Sequence, residues 1–346
     1  MKKFRKLQLV VLAVLLGVSL LLLTACQPGT TTTTADPGVT SAASDTWPVT
    51  VTNAAGESIV IEKKPEAIAV TNVWAAEMLL DMIDVSRIKA LSTWGDDPVL
   101  SATAEKAAAV AERVNTLDAE GIVAVKPDLV IIDTFSDTDG SLTRTLNDAG
   151  IVVLQLASPT NFAEIKAAIA TLANATGAAA AGDALISTID ETLDGVQAKL
   201  SGLDDNQKLN VMYYEDYYDA SGSSAGMLAA YGSGSPFEAI AAAAGLVNVC
   251  NAPNYSAVSK EKVVGEWKPD ILIVPAITYN ADFKAIDDSG ASIIAAIKAD
   301  PLMTTLPAVQ NDHVFALTER YRGSTSHYMA QAVVELAEKA YPDLMS

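Results

Sequence analysis

The chain has 346 residues, half of them hydrophobic and only 6% aromatic, and its 42 acids against 23 lysines and arginines give a net charge of −19. A surface this acidic excludes nucleic acid as a partner, because phosphate binding rests on Lys and Arg. It also excludes a polybasic hold on anionic lipid. With two cysteines and two histidines, a disulfide framework and a zinc site built from several imidazoles are excluded as well.

The N-terminus reads as a targeting segment. Lys2, Lys3, Arg5 and Lys6 precede an apolar run of 15 residues, Leu9 to Leu23. That run is shorter than the roughly 20 residues of a comfortable membrane span, so a cleaved secretory signal over residues 1–25 is expected rather than a transmembrane anchor. Leu23-Thr24-Ala25-Cys26 resembles a lipobox, which implies lipidation of Cys26 and cleavage just before it. Removing residues 1–25 takes away four basic residues and no acid, leaving about 320 residues with a net charge of −23. Residues 26–46, with the run Thr30 to Thr34 and no apolar face, read as the lipidated Cys and a flexible tether.

Beyond the tether, strand and helix patterns alternate. Ala67–Val70 predicts a strand, followed by an amphipathic helix over Ala75–Met82 and a second strand over Ile88–Leu91. Continuous apolar runs at Leu129–Ile132 and Ile151–Leu156 predict buried strands, with a helix over Ser141–Ala149 ended by Gly150 between them. Asn161 and Glu164 form an N-cap pair, and helical pattern runs on, with a break at Gly177, to Leu200. Ile186, Ile189, Leu193, Val196 and Leu200 share one face, predicting a helix from Ala178 about 35 Å long, with Gly182 and Gly195 as weak points. Lys208–Tyr214 is the next strand. Ser235-Pro236-Phe237-Glu238 is a capping box with Pro at the first helical position. Ile271–Val274 and Val314–Leu317 are strands, and Ser326–Ala340 is the last helix, ended by Pro342. Strands of this kind alternating with helices predict α/β architecture with mostly parallel central sheets.

Two segments echo each other. In one, Glu120 lies in a short helix followed by Lys126-Pro127-Asp128 and the strand Leu129–Ile132. In the other, Glu261 precedes Lys268-Pro269-Asp270 and the strand Ile271–Val274. Two similar lobes are therefore expected: an N-terminal α/β lobe over 47–170, a connecting backbone helix within 171–204, and a C-terminal α/β lobe over 205–346.

These motifs, taken in order from Lys64-Pro65-Glu66 to Lys268-Pro269-Asp270, resemble the helical-backbone substrate-binding proteins of ABC importers for siderophores, haem and cobalamin. The likeness spans roughly residues 48 to 343. It implies two Rossmann-like lobes joined by a single long helix, a ligand cleft between them, and a small hinge motion. It also implies that one surface glutamate per lobe, here Glu120 and Glu261, pairs with arginines of the permease. The expected partners are the permease and ATPase of an importer and a small chelate, with membrane contact through the N-terminal lipid only and the protein monomeric and extracytoplasmic.

In parallel α/β lobes, ligands sit at the carboxyl ends of strands. That rule selects Trp74, Trp94, Thr134 and Phe135 in the first lobe. In the second it selects Tyr213, Tyr214, Tyr217 and Tyr218 with Glu215, Asp216 and Asp219 among them, then Tyr279, Arg320, Tyr321, Arg322 and His327. Aromatic rings gathered at strand ends suit a large flat ligand oriented by a few polar groups, and arginines suit carboxylates. The acids beside the tyrosines suit amide or amine groups better. Each tyrosine is open to packing or contact, the arginines to a ligand or to nearby acids such as Glu319, His327 to starting a helix or ligating, and Cys250 reads as a buried inert thiol. No metal ligand set and no intrinsic cofactor are assigned. Neither a P-loop nor a GxGxxG after a strand is present, so an enzyme is not expected. The expected ligand is a metal chelate: a ferric siderophore, haem or cobalamin. Capture of free ferric iron, or of another small solute, is the alternative.

Overall fold

The computed structural model describes residues 46–216, 228–279 and 285–346. The signal segment, Cys26, all of the tether but residue 46, and Tyr217, Tyr218 and Asp219 lie outside the described residues.

A short antiparallel ribbon, β1 (Val49–Thr52) and β2 (Ser58–Ile61), opens the fold. The first lobe follows with β3 (Ile68–Val70), β4 (Ile88–Ser92), β5 (Glu112–Val114), β6 (Leu129–Asp133) and β7 (Val152–Leu156). All are parallel, in the order β5-β4-β3-β6-β7. The order reverses between β3 and β6, so the connections after these two strands run to opposite faces and open a crevice at their carboxyl ends. Four of the five strands coincide with the predicted apolar runs. The fifth, β5, carries Glu-Arg-Val at the sheet edge, and no hydrophobic pattern marks it.

The second lobe contains β8 (Asn210–Glu215), β9 (Ala229–Tyr231), β10 (Val247–Asn248), β11 (Tyr255–Ala257), β12 (Ile271–Val274) and, after a hairpin of β13 (Ile277–Tyr279) and β14 (Ala285–Asp287), β15 (Val314–Ala316). Its sheet runs β11-β9-β8-β12-β15. Strands β8, β12 and β15 are parallel and β10 joins the start of β8 in parallel, whereas β9 and β11 are antiparallel. The two sheets therefore share a parallel centre, and the second is mixed at one edge.

The helix Phe162–Thr176 starts as its sequence predicts: the Asn161 side chain accepts the Glu164 N–H at 3.0 Å, while the Glu164 carboxylate turns back to the Thr160 N–H at 2.8 Å. It ends at Gly177, whose φ of 70° is the left-handed conformation that glycine adopts without strain. The helix Ala179–Lys199 follows without interruption, 21 residues and so about 31 Å long. Gly182 strengthens it rather than breaking it. A Cβ there would come within 2.6 Å of the Ala173 Cβ, so glycine lets this helix lie close against Phe162–Thr176. The helix also packs on the last long helix of the second lobe, Met329–Ala340.

That last helix begins three residues later than its pattern predicts. Ser326, His327 and Tyr328 commit their side chains to the first lobe and form a turn instead. Pro342 does not merely end it but opens a further short helix, Pro342–Met345.

The two Lys-Pro-Asp junctions are built alike. Lys126 and Lys268 both take positive φ, 52° and 45°. Asp128 then exchanges bonds with the chain entering β3: its carboxylate accepts the N–H groups of Glu66 and Ala67, and its own N–H donates to the Ala67 carbonyl. Asp270 does the same at β8, accepting from the Asn210 N–H and donating to the Asn210 carbonyl. Each aspartate thus sets the register of its lobe's first strand.

Candidate functional site

The carboxyl ends of the first sheet face the second lobe across a cavity of about 390 Å³. Val73, Trp74, Trp94, Leu100 and Ser158 to Thr160 line it from the first lobe, and Pro236, Glu319, Gly323, Ser324 and Thr325 from the second. Its floor in the first lobe is fixed by Asp133 at the end of β6. This buried carboxylate accepts the Trp74 indole N–H at 3.0 Å and the Ser158 hydroxyl, and its other oxygen accepts the Phe135 N–H at 2.7 Å. Trp74 is thereby held with its ring against the cavity. Trp94 is 48% exposed at the cavity wall.

The second lobe's wall is a buried polar cluster. Arg322 donates to Glu319 Oε1, and its guanidinium lies 4.7 Å from the centre of the Tyr213 ring and 5.5 Å from that of Tyr231. Tyr213 and Tyr231 meet edge to face at 5.1 Å. Glu215 accepts the Tyr255 hydroxyl at 2.5 Å, and burial raises its carboxyl above the ordinary value. Three atoms of this cluster are buried with no hydrogen-bond partner among the described residues: Tyr213 Oη, Glu319 Oε2 and Arg322 Nε.

A different cluster ties the lobes together beside the cleft. The helix Val73–Met82 of the first lobe is almost wholly buried, yet carries Glu77 and Asp81 one turn apart. Glu77 accepts the Ser324 hydroxyl, the Ser326 hydroxyl at 2.5 Å and the Ala102 N–H at 2.7 Å. Burial nevertheless raises its pKa against the pull of these bonds. Asp81 meets His327 Nε2 at 2.9 Å, the Tyr328 hydroxyl at 2.8 Å and the Lys106 ammonium. Burial opposes its ionisation, but these partners outweigh burial and bring its pKa down to about 2. On the far side, the Arg320 guanidinium reaches the Pro98 carbonyl at 3.4 Å, and Val99 and Leu100 pack against Ala276 and Ile277.

Of the residues selected from the sequence, Trp74 and Trp94 line the cavity. Arg322 stands behind its wall, and Arg320 bridges the lobes. Tyr213 and Tyr214 lie in the core rather than the cleft, because β8 continues to Glu215 and both rings belong to the strand interior. Tyr214 donates to Asp216 at 3.1 Å. Phe135 is 89% exposed and, with the half-buried Thr134, forms a turn beside the cavity without lining it. His327 is buried in the interlobe cluster. Tyr217 is outside the described residues, and for Tyr279 only its place in β13 is described. Cys250 is a buried free thiol whose pKa burial pushes up. Arg322 pairs with Glu319, the alternative that the sequence left open for the arginines, whereas Asp133 and the Glu77–Asp81 pair escaped sequence reading. Two acids one turn apart in an otherwise apolar helix were the available signal for the last. Among the described residues, no group of three or more His, Cys, Asp or Glu side chains could hold a metal ion.

A family model described as periplasmic binding protein matches residues 68–321, most of both lobes. The chain belongs to the periplasmic binding protein family. A cobalamin-binding protein of Halobacterium salinarum is 27% identical over 231 residues, which is 66% of this chain and 58% of that one. An uncharacterised ABC transporter substrate-binding lipoprotein of Bacillus subtilis is 23% identical over 168 residues, 48% of this chain and 52% of its own. The chain thus spans little more than half the length of these relatives. The periplasmic haem-binding protein RhuT of Roseiflexus has the same fold, with a TM-score of 0.64 at 20% identity over 81% of this chain and 99% of that one. The two-lobed architecture expected from the sequence is the architecture of this family, and its members are binding proteins rather than enzymes.

Proposed function

We propose that this protein is the lipid-anchored, extracytoplasmic solute-binding subunit of an ABC importer, capturing a metal chelate between its lobes and delivering it to the permease. The observation that carries this reading is the cavity at the strand ends, walled by Trp74 and Trp94 on one lobe and by Glu319 to Thr325 on the other. Indole rings give a flat, polarisable ligand a large contact area, and the ring held by Asp133 is already oriented for it. The names of the relatives, cobalamin-binding and haem-binding, point to the same ligand class. Residues 1–25 serve as the signal, lipidated Cys26 as the anchor, and 26–46 as a tether that lets a monomeric binding protein reach a permease in the same membrane.

Delivery rests on Glu120 and Glu261. Both are exposed, and each stands in the first turn of a short helix capped by a side chain, Asp118 in one lobe and Ser259 in the other. Both helices lead into the matched Lys-Pro-Asp junctions, so the two carboxylates occupy equivalent positions. Two such points fix the orientation of docking and set the encounter rate through charge complementarity.

Tryptophan-fluorescence titration against haem, cobalamin, a catecholate and a hydroxamate ferric siderophore tests both halves when the Glu120→Arg, Glu261→Arg double variant is run beside the wild type. Saturable quenching by one chelate at about micromolar concentration or below is expected in both proteins. ATP-driven uptake in membranes bearing the permease should be lost in the double variant alone. Quenching by none of the four would transfer the reading to another solute. Lost affinity in the double variant would remove the docking role.

A further inference from the structure

The lobes meet on both sides of the cavity, and the two contacts are unequal. On one side a single apolar core runs through both lobes, from Trp74, Met78 and Leu79 to Met329, Val333 and Leu336, with the Glu77 and Asp81 bonds beside it. On the other, the loop Asp97–Leu100 of the first lobe reaches the second. Its Pro98 carbonyl accepts a long bond of 3.4 Å from Arg320 at the exposed surface, and Val99 and Leu100 pack on Ala276 and Ile277, a small apolar cluster separate from the main core. A long exposed bond and a satellite cluster are what local opening breaks first.

The loop is a self-contained turn. The Asp97 carboxylate accepts the Val99 N–H at 2.9 Å, and the Asp97 carbonyl accepts the Leu100 N–H at 3.1 Å. Its ends are pinned, Asp96 by Arg113 at 3.0 Å and the Ala102 N–H by Glu77 at 2.7 Å. Between the pins, Leu100 lines the cavity. Ala276, against which this patch rests, lines a second hollow of about 300 Å³ in the second lobe, together with Ala316 and Lys339. The loop therefore partitions the cleft from that hollow, and swinging it out would open the cleft and join the two spaces.

We infer that Asp97–Leu100 is the gate by which a ligand enters and leaves the cleft, and that Arg320 is its latch, a positioning residue rather than the ligand contact expected from its place after the last strand. The identity of the ligand rests on the chelate-binding reading above; the opening of the loop does not. The Glu77–Asp81 side stays closed while the gate opens, so ligand exchange needs no separation of the lobes.

Two measurements on the wild type, Arg320→Ala and Val99→Ser test this, the last variant loosening the loop with every charge left in place. Without ligand, amide hydrogen exchange across residues 97–101 should quicken about 3- to 10-fold in either variant, while the helix Val73–Met82 and residues 324–330 exchange as in the wild type. With ligand, stopped-flow tryptophan quenching is followed for haem, cyanocobalamin, a ferric catecholate and a ferric hydroxamate. The latch holds the gate with or without ligand, so for the chelate that binds, association and dissociation should both quicken by about 3- to 10-fold and Kd should stay within about twofold. Faster dissociation at unchanged association in Arg320→Ala, with Val99→Ser unaffected, would make Arg320 a ligand contact and overturn the inference. Unchanged exchange in both variants would overturn it too. Binding of none of the four would overturn the chelate reading alone, and the ligand-free exchange would still decide whether the loop opens.

Discussion

Two buried polar clusters lie along the boundary between the lobes, and they differ in whether their hydrogen bonds are made. In the Glu77–Asp81 cluster both carboxylates are fully engaged, by two serine hydroxyls and a backbone N–H on one and by His327, Tyr328 and Lys106 on the other. Among the described residues of this cluster, only His327 Nδ1 is left over. In the Glu319–Arg322 cluster, a carboxylate oxygen, a guanidinium nitrogen and a tyrosine hydroxyl all lack partners among the described residues. Buried polar groups cost free energy unless they are paired. The first cluster therefore works as a fastener that holds the lobes at their boundary, whereas the second leaves unpaired polar atoms buried behind the cavity wall. One region stabilises the fold, and the other costs it stability.

The largest effect expected from this contrast is on stability. Glu77→Ala strands Ser324, Ser326 and the Ala102 N–H in a buried site at once, and should cost about 2–4 kcal/mol. The melting temperature should fall by roughly 5–10 °C. A loss of under about 0.5 kcal/mol would show that the fastener is ornamental and that the lobes are held by apolar packing alone.

A smaller, pH-dependent effect belongs to Asp81. Its folded pKa, about 2, lies below its ordinary value, so its contribution is fully present above about pH 4 and is lost as pH falls through about 2. Thermal melts of the wild type should drop across that acid window. Asp81→Asn should begin lower and lose less over the same window. Parallel curves for the two proteins would mean that the ion cluster is not what acid dissolves.

How much of this was readable beforehand follows the range of the interaction. Strand runs, the Asn161 and Ser235 caps and the Lys-Pro-Asp junctions are local, because neighbouring residues decide them, and the structure places them within a residue or two. Even there the sequence showed only the helix-stop-strand echo, not that Asp128 and Asp270 pin β3 and β8. The fastener joins Glu77 and Asp81 to residues nearly 250 positions away. No spacing rule reaches that far. The strand-end rule found the cavity through Trp74 and Trp94, but it misjudged where β8 ends, so Tyr213 and Tyr214 were assigned to a surface that they support from behind. The start of the last helix was misplaced for a related reason: Ser326 to Tyr328 fit a helical pattern, but their side chains are bound across the lobe boundary.

The central claim is that the cavity bounded by Trp94 and Glu319 is where the chelate binds, and the most direct test is calorimetric titration of Trp94→Ala beside the wild type. Trp94 is half exposed, so its removal should leave the melting temperature within about 2 °C while weakening the chelate that binds by roughly 10- to 30-fold. Unchanged affinity at unchanged stability would contradict the account and place the ligand elsewhere on the protein.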